Sequence, residues 1–297
     1  MIQTHEIGPL KILFGKLASY PYCNTILIKG RKTLLVDPAC EEKTLRTLAG
    51  EEEIHFLFNT HYHPDHIRFN SLFPQAEFWA PREDTPCFRS IDSMAEWVGV
   101  KGTPYEPAWR DSMTEAFGFR ERQDVREVEE GTVLDLDGVT LQFLHFPGHT
   151  PGLTGFRVPE FQVLFLADME LSPAGPWYHN KRASIQGIIE SVGKIRKIKA
   201  EYYIPSHGRE IFRGDIGPRL DRYLENIHVR ERKILETLSS PKTLDELASL
   251  SLISGFRLSR GQVWFFFERN MIEKHVARLL AQEKISKTGD HFQREAH

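Results

Sequence analysis

No apolar run in this chain approaches the roughly 18 residues needed to cross a bilayer, which argues against a membrane span. Cysteine is scarce: Cys23, Cys40 and Cys87 are odd in number and lack metal-type spacing, so reduced thiols are expected. An excess of one charge is also missing, since 38 Lys and Arg face 41 Asp and Glu, leaving a formal net charge of -3. That balance gives no general attraction to nucleic acid or acidic lipid. The first ten residues have neither a basic segment nor an apolar one of the kind that opens a secretory leader, so a cytoplasmic location is expected. There is no Gly-x-Ser-x-Gly elbow, no Walker-type phosphate loop and no internal repeat. A hydrophobic fraction of 40% with 27% charged residues remains, which suits a globular chain with one large domain and a smaller one.

Present in the first half are short strand patterns at 12–14, 25–29 and 33–36, the last closed by Asp37-Pro38. A helix is expected over 41–48, then a continuous apolar strand over 54–58. Residues 81–124 break the rhythm with Pro, Trp, Phe and charge, and predict an insertion with helices near 92–98 and 110–119. Strand patterns resume at 125–128, 139–143, 155–158, 163–166 and 202–204, with a helix over 184–198. Beyond 212 the pattern is helical: a long helix marked by Ile216, Leu220, Leu224 and Ile227, a capping box at Thr243 and Glu246, and a helix over 263–280. A short strand at 285–287 follows.

The chemistry is concentrated in His61-Tyr62-His63-Pro64-Asp65-His66, directly after a buried strand. Residues two apart on an extended segment share a face, so His61 and His63 can hold one cation together, while Asp65 and His66 lie where the chain turns into a helix. Further ligands must come from other strand ends. His149 in Pro147-Gly148-His149-Thr150-Pro151-Gly152, Asp168 after its apolar strand and His207 in Ser206-His207-Gly208 are placed to supply them. Imidazole with carboxylate suits zinc, iron or manganese and disfavours calcium.

These motifs resemble those of the metallo-β-lactamase superfamily over roughly residues 20–210, a family sharing an αβ/βα sandwich and a His-x-His-x-Asp-His signature. The resemblance implies an α+β fold: a four-layer αβ/βα sandwich over 1–212, with 81–124 as a helical lid, then a small winged-helix-like helical domain over 213–297. It implies two divalent metal ions, zinc foremost. His61, His63 and His149 would hold the first, Asp65, His66 and His207 the second, with Asp168 bridging and Asp37 supporting the ligands from behind. Two departures stand out: Ile67-Arg68-Phe69 replace the glycines that often follow the Asp-His pair, and Ala167 stands where many members carry Gly. His228-Val229-Arg230-Glu231-Arg232 and the helical tail resemble a subgroup containing RNA-cleaving enzymes and thioesterases; a solvated helix face reads equally well.

The expected activity is metal-dependent hydrolysis, in which two cations share a water of lowered pKa and polarise the substrate's oxygen. Asp65 is the catalytic candidate, since a carboxylate beside that water can take up a proton. Trp177, Tyr178 and His179, just past Asp168, are candidate substrate contacts. Trp97, Tyr105, Trp109, Phe117 and Phe119 either line the same mouth or form a satellite core. An aromatic mouth of modest size favours a small ester, thioester or lactone. The tail over 215–297 holds 14 Lys and Arg against 12 Asp and Glu, too small an excess to favour nucleic acid as a partner. A nuclease or phosphodiesterase is therefore the alternative, followed by a mononuclear-iron sulfur dioxygenase and a non-catalytic binding module. The helix over 263–280 serves either a homodimer or the protein's own core.

Overall fold

The computed structural model describes residues 2–255 and 262–295. Its first half is a seven-stranded sheet whose spatial order equals its sequence order: β1 (Thr4–Ile7), β2 (Leu10–Leu13), β3 (Thr25–Lys29), β4 (Thr33–Val36), β5 (Phe56–Phe58), β6 (Glu77–Pro81) and β7 (Arg126–Val128). The pairs from β4 to β7 are parallel. Their crossovers carry α1 (Glu42–Glu51), α2 (Pro64–Ile67), α3 (Thr85–Arg89), α4 (Ile91–Val98) and α5 (Glu106–Asp111). The second half builds a six-stranded sheet from β8 (Val133–Asp135), β9 (Thr140–His145), β10 (Thr154–Val158), β11 (Val163–Ala167), β12 (Tyr202–Pro205) and β13 (Phe212–Arg213), with α6 (Ile185–Ile195) crossing between parallel β11 and β12.

Strand periodicity explains why these sheets stack. In β3, Ile26 and Ile28 face a core shared with the second sheet, while Leu27 faces the helices; in β4, Leu34 and Val36 divide from Leu35 in the same way. Phe58 of one sheet meets Phe143 of the other at 4.7 Å between ring centroids, both fully buried. Burying such a ring contributes about 1.5–3 kcal/mol. Helices on the outer faces complete the four-layer arrangement, and ends of β4, β5, β9, β11 and β12 gather at one edge, the customary place for a site on parallel strands.

The tail comprises α7 (Gly217–Thr237), α8 (Leu244–Ser249), α9 (Val263–Ala281) and the hairpin of β14 (Ile285–Thr288) and β15 (His291–Arg294). Thr243 and Glu246 form the expected capping box. Helix α7 joins two cores, with Leu220, Tyr223 and Ile227 in the main one and Ile234 and Leu238 in a third. Helix α9 is apolar on more than one side: Phe265, Ile272 and Leu279 belong to the third core, whereas Phe267 and Met271 pack on the sandwich. These residues are covered within the chain itself.

Two expectations are corrected, and one pair of alternatives, mouth or satellite core for the lid aromatics, is decided for the core. Helix α5 begins before 110, because Pro107 in its first turn fixes a helical φ, and it runs into a π-helical turn at Ser112–Ala116. Trp97, Trp109, Phe117 and Phe119 are buried in the core between α1 and the lid helices, so they are core residues and do not line an open mouth. Tyr178 is not a substrate contact: it is fully buried, with its hydroxyl against His275 Nε2 at 2.6 Å.

Candidate metal centre

Strand β5 delivers Asn59 and Thr60 into His61-Tyr62-His63, still extended, and Pro64 then opens α2 so that Asp65 and His66 enter a helical turn. The His149 loop lies close against α6, where a Cβ on Gly148 would stand 2.4 Å from Ile188 N; only glycine fits, and φ there is +137°. A register shift at the end of β11 puts Ala167 at φ +50°, a left-handed conformation costing a non-glycine residue about 1–2 kcal/mol, and the next side chain is Asp168.

All seven candidate ligands meet at one place. Asp168 lies between two groups, one carboxylate oxygen to each. Its Oδ2 is 3.2 Å from His149 Nε2 and 3.7 Å from His61 Nε2, and its Oδ1 is 3.2 Å from His66 Nε2 and 3.7 Å from His207 Nε2. His63 Nδ1 is 2.7 Å from His149 Nε2. On the other side, Asp65 Oδ2 is 3.3 Å from His207 Nε2 and 3.9 Å from His66 Nε2. Ligand atoms of His61, His63, His149 and Asp168 all lie within 4.8 Å of one another, as do those of Asp65, His66 and His207.

The residues behind the ligands fix their tautomers. Asp37 is completely buried; its Oδ1 accepts from Thr60 N at 2.8 Å, and its Oδ2 accepts from Thr60 Oγ1 at 2.8 Å and His66 Nδ1 at 2.9 Å. The Thr60 hydroxyl has one proton, given to Asp37, so at 3.0 Å it accepts from His61 Nδ1. One carboxylate thereby turns the bare Nε2 of both His61 and His66 inward. His149 Nδ1 donates to Trp177 O at 2.8 Å, freeing its Nε2 likewise. Asn180, fully buried, sets its side-chain amide nitrogen against His63 Nε2, which holds the ring with Nδ1 towards the other ligands.

His66 Nε2 and Asp168 Oδ1 do not meet hydrogen-bond geometry, and with His61 Nε2 they are buried without hydrogen-bond partners among the described residues. Leaving such atoms unpaired is costly, and a cation in each ligand group would satisfy them, so the residues fit divalent metal. Burial and neighbouring imidazoles hold His61 and His63 well below the usual histidine range; burial also lowers His149. For His66 and His207 burial acts the same way, but Asp168 and other nearby anionic groups outweigh it and raise both well above that range. Burial would raise Asp65 and Asp168, yet the facing histidines win and lower both. The metal-free cluster therefore balances its carboxylates with protons, and a cation displaces them.

Several residues here were given no role at this site in the sequence reading. Glu170 Oε1 is 3.9 Å from His207 Nε2, and burial first, then Asp168, push it up to about 7. Arg230 of α7 donates to Pro176 O at 2.6 Å and Ala174 O at 2.7 Å, bracing the loop whose Trp177 carbonyl orients His149. Asp84, after β6, accepts from Thr150 Oγ1 at 2.6 Å and Gly152 N at 2.7 Å, pinning the His149 loop from its other end.

Burial pushes the Asp84 carboxyl up to about 7, despite those hydrogen bonds. Its folded value exceeds its unfolded one, so this stabilising proton is fully present below pH 4 and is lost as pH rises towards 7. The stability at stake is about 4 kcal/mol. Asp84→Asn, which carries no charge to bury, is expected to melt above the wild type by a margin that widens from pH 5 to pH 8. A margin independent of pH would contradict a neutral Asp84.

Among the described residues no helix is long and apolar enough to cross a membrane. The chain is 29% identical over 153 residues to a hydroxyacylglutathione hydrolase of Haemophilus influenzae, covering 50% of this chain and 65% of that protein. It is 25% identical over 240 residues to a beta-lactamase-like protein 2 homolog of Caenorhabditis elegans, covering 77% and 68%. The crystal structure of a metallo-beta-lactamase family protein from Thermus thermophilus superposes with a TM-score of 0.73 at 22% identity, over 97% of this chain and 99% of that one. The metallo-beta-lactamase superfamily profile matches residues 20–207, which carry the whole ligand cluster, and the chain belongs to that hydrolase superfamily.

Proposed function

We propose that this chain hydrolyses a small acyl thioester, with related esters and lactones as slower substrates, at a centre of two zinc ions. The observation that carries this reading is Asp168, whose two oxygens face two separate ligand sets at 3.2 Å each. The similarity to a hydroxyacylglutathione hydrolase supports the thioester. Two divalent cations so held supply an activated water and polarise the acyl oxygen. His61, His63 and His149 hold one, Asp65, His66 and His207 the other. Asp65, kept ionised by His66 and His207 against the effect of burial, takes a proton at a carboxylate oxygen and delivers it to the departing thiolate. His179, whose ring lies 5.2 Å from that of His63, and Trp177 form the near wall of the substrate site.

The tail favours a small substrate over a nucleic acid. The tail in this reading is winged-helix-like, and its α9 is the element such a domain would lay in a groove. Here α9 is covered by the sandwich through Phe267 and Met271 and by α8 and the hairpin through Phe265 and Ile272. Protein purified without added metal is expected to contain two zinc ions per chain and, on a panel of thioester, lactone, phosphodiester and β-lactam, to turn over the thioester fastest with little response to salt. One iron per chain with oxygen uptake, or a phosphodiester preference with steep salt dependence, would replace this reading.

A further inference from the structure

Ring contacts trace a circuit that starts and ends at the ligand cluster. From His63 it passes to His179 at 5.2 Å, Trp177 at 5.8 Å, Trp264 of α9 at 6.3 Å, Tyr20 at 5.8 Å and Phe117 at 5.7 Å. Phe117 lies 5.3 Å from the guanidinium of Arg68, two residues beyond His66. Tyr20 and Trp264 are 44% and 42% exposed, whereas Asp65 and Asp168 are each 6% exposed. The circuit thus links the buried cluster to solvent-exposed rings, and its exposed part, Trp177, Trp264 and Tyr20, would be the rim of a substrate entrance, with Phe117 packed in the core behind it.

Arg68 is the cation of this rim. Its guanidinium is enclosed by Tyr22 at 5.0 Å, Phe69 at 5.4 Å and Phe117. Its Nη1 donates only a long 3.4 Å bond to Pro21 O, its Nε is buried with no acceptor, and no carboxylate among the described residues pairs with it. Arg68 lies two residues beyond His66 and three beyond Asp65 on the turn that carries those candidate ligands. A guanidinium held by rings, with hydrogen-bonding capacity left over, is suited to a planar anion. The remainder of the rim is aromatic and suited to an apolar chain.

We propose that Arg68 is a specificity-determining residue that binds a carboxylate on the substrate. The substrate class is then an acyl thioester with a free carboxylate at the far end of an apolar chain. This rests on the thioester reading above, and the test separates the two.

The S-phenyl monothioester of adipic acid and its methyl-capped counterpart are compared on metal-loaded wild type, Arg68→Met, Arg68→Gln and Arg68→Lys, with metal content measured for each. Expected is a KM for the acid raised about 10- to 100-fold in the Met and Gln variants, the strength of a charged hydrogen bond. Little change is expected in kcat, in metal content or in the KM of the capped ester, with partial recovery in the Lys variant. Equal shifts for both esters, or none, would overturn the proposal. If the wild type cleaves neither thioester, the thioester reading fails and binding decides Arg68 separately by titration calorimetry with 4-phenylbutyrate and 4-phenylbutyramide. Selective weakening of the acid in the Met and Gln variants supports the Arg68 site, and equal binding refutes it. Should the Met variant fail to fold, the Gln variant carries each comparison.

Discussion

Replacing Asp168 with alanine is expected to empty the centre of both metals and to reduce hydrolysis by about 10³-fold or more, the scale lost when activated water and charge stabilisation go together. The size of this effect follows from position. Among the described residues Asp168 is the carboxylate that faces both ligand groups, with oxygens 3.2 Å from His149 and His66. An anion there offsets the mutual repulsion of two divalent cations, which the neutral imidazoles cannot do. In the metal-free protein the same carboxylate is foremost among the anions sustaining the protons on His66 and His207, so its removal also releases those protons. The variant should fold, since Asp168 lies at a strand end outside the apolar core. Circular dichroism together with elemental analysis checks this. Two metals per chain with activity within tenfold of wild type would rule out a bridging role.

Asp37→Asn is expected to weaken both metal sites about 10- to 100-fold, the effect of losing a group behind a ligating histidine, although Asp37 is not among the seven ligands. The substitution keeps the shape of the side chain. Asp37 has φ +47°, a conformation that asparagine tolerates, so no new backbone strain is added. What changes is the direction of the protons. An amide nitrogen in place of Oδ2 would face Thr60 Oγ1 and His66 Nδ1, both of which now donate to it. Thr60 would have to accept from the amide and turn its own proton towards His61 Nδ1, moving the imidazole proton to Nε2, where the cation should bind. His66 would shift in the same sense. Chelator competition reads the affinity, and the ¹⁵N shifts of the imidazoles read the tautomers. Unchanged affinity at both sites would show that Asp37 only fills space.

Much of the site could be read before the fold was known, because its ligands come as spaced clusters. His61, His63, Asp65 and His66 carry their geometry in the strand-to-helix switch at Pro64, and Gly148-His149 announces a close turn against another element. Asp37 was readable through the resemblance of its strand-end position to the family's first-motif aspartate. The residues that went unread are single polar groups without a spaced partner. Asn180 and Asp84 act through contacts 117 and 66 positions away along the chain, and Arg230, noted only within its helical motif, acts over 54; no local pattern encodes such pairs. Tyr178 was misread for the same reason: proximity to Asp168 in sequence said nothing of α9, whose His275 takes its hydroxyl. Strands β1 and β6 also escaped. The first is short and half exposed, and the second ends in Pro81.

The amino-acid sequence by itself determined the strand and helix patterns and the seven candidate ligands in their order along the chain, because alternation, apolar runs and close ligand spacing are local properties of the backbone; the layered α+β class came from the resemblance those motifs carry. Only the tertiary structure decided that Asp168 divides its oxygens between two groups, that Asp37 sets two tautomers at once, and that the tail's α9 brings Trp264 against Trp177 and Tyr20. Those are relations between residues brought together by burial of the shared core, and burial is a property of the whole chain.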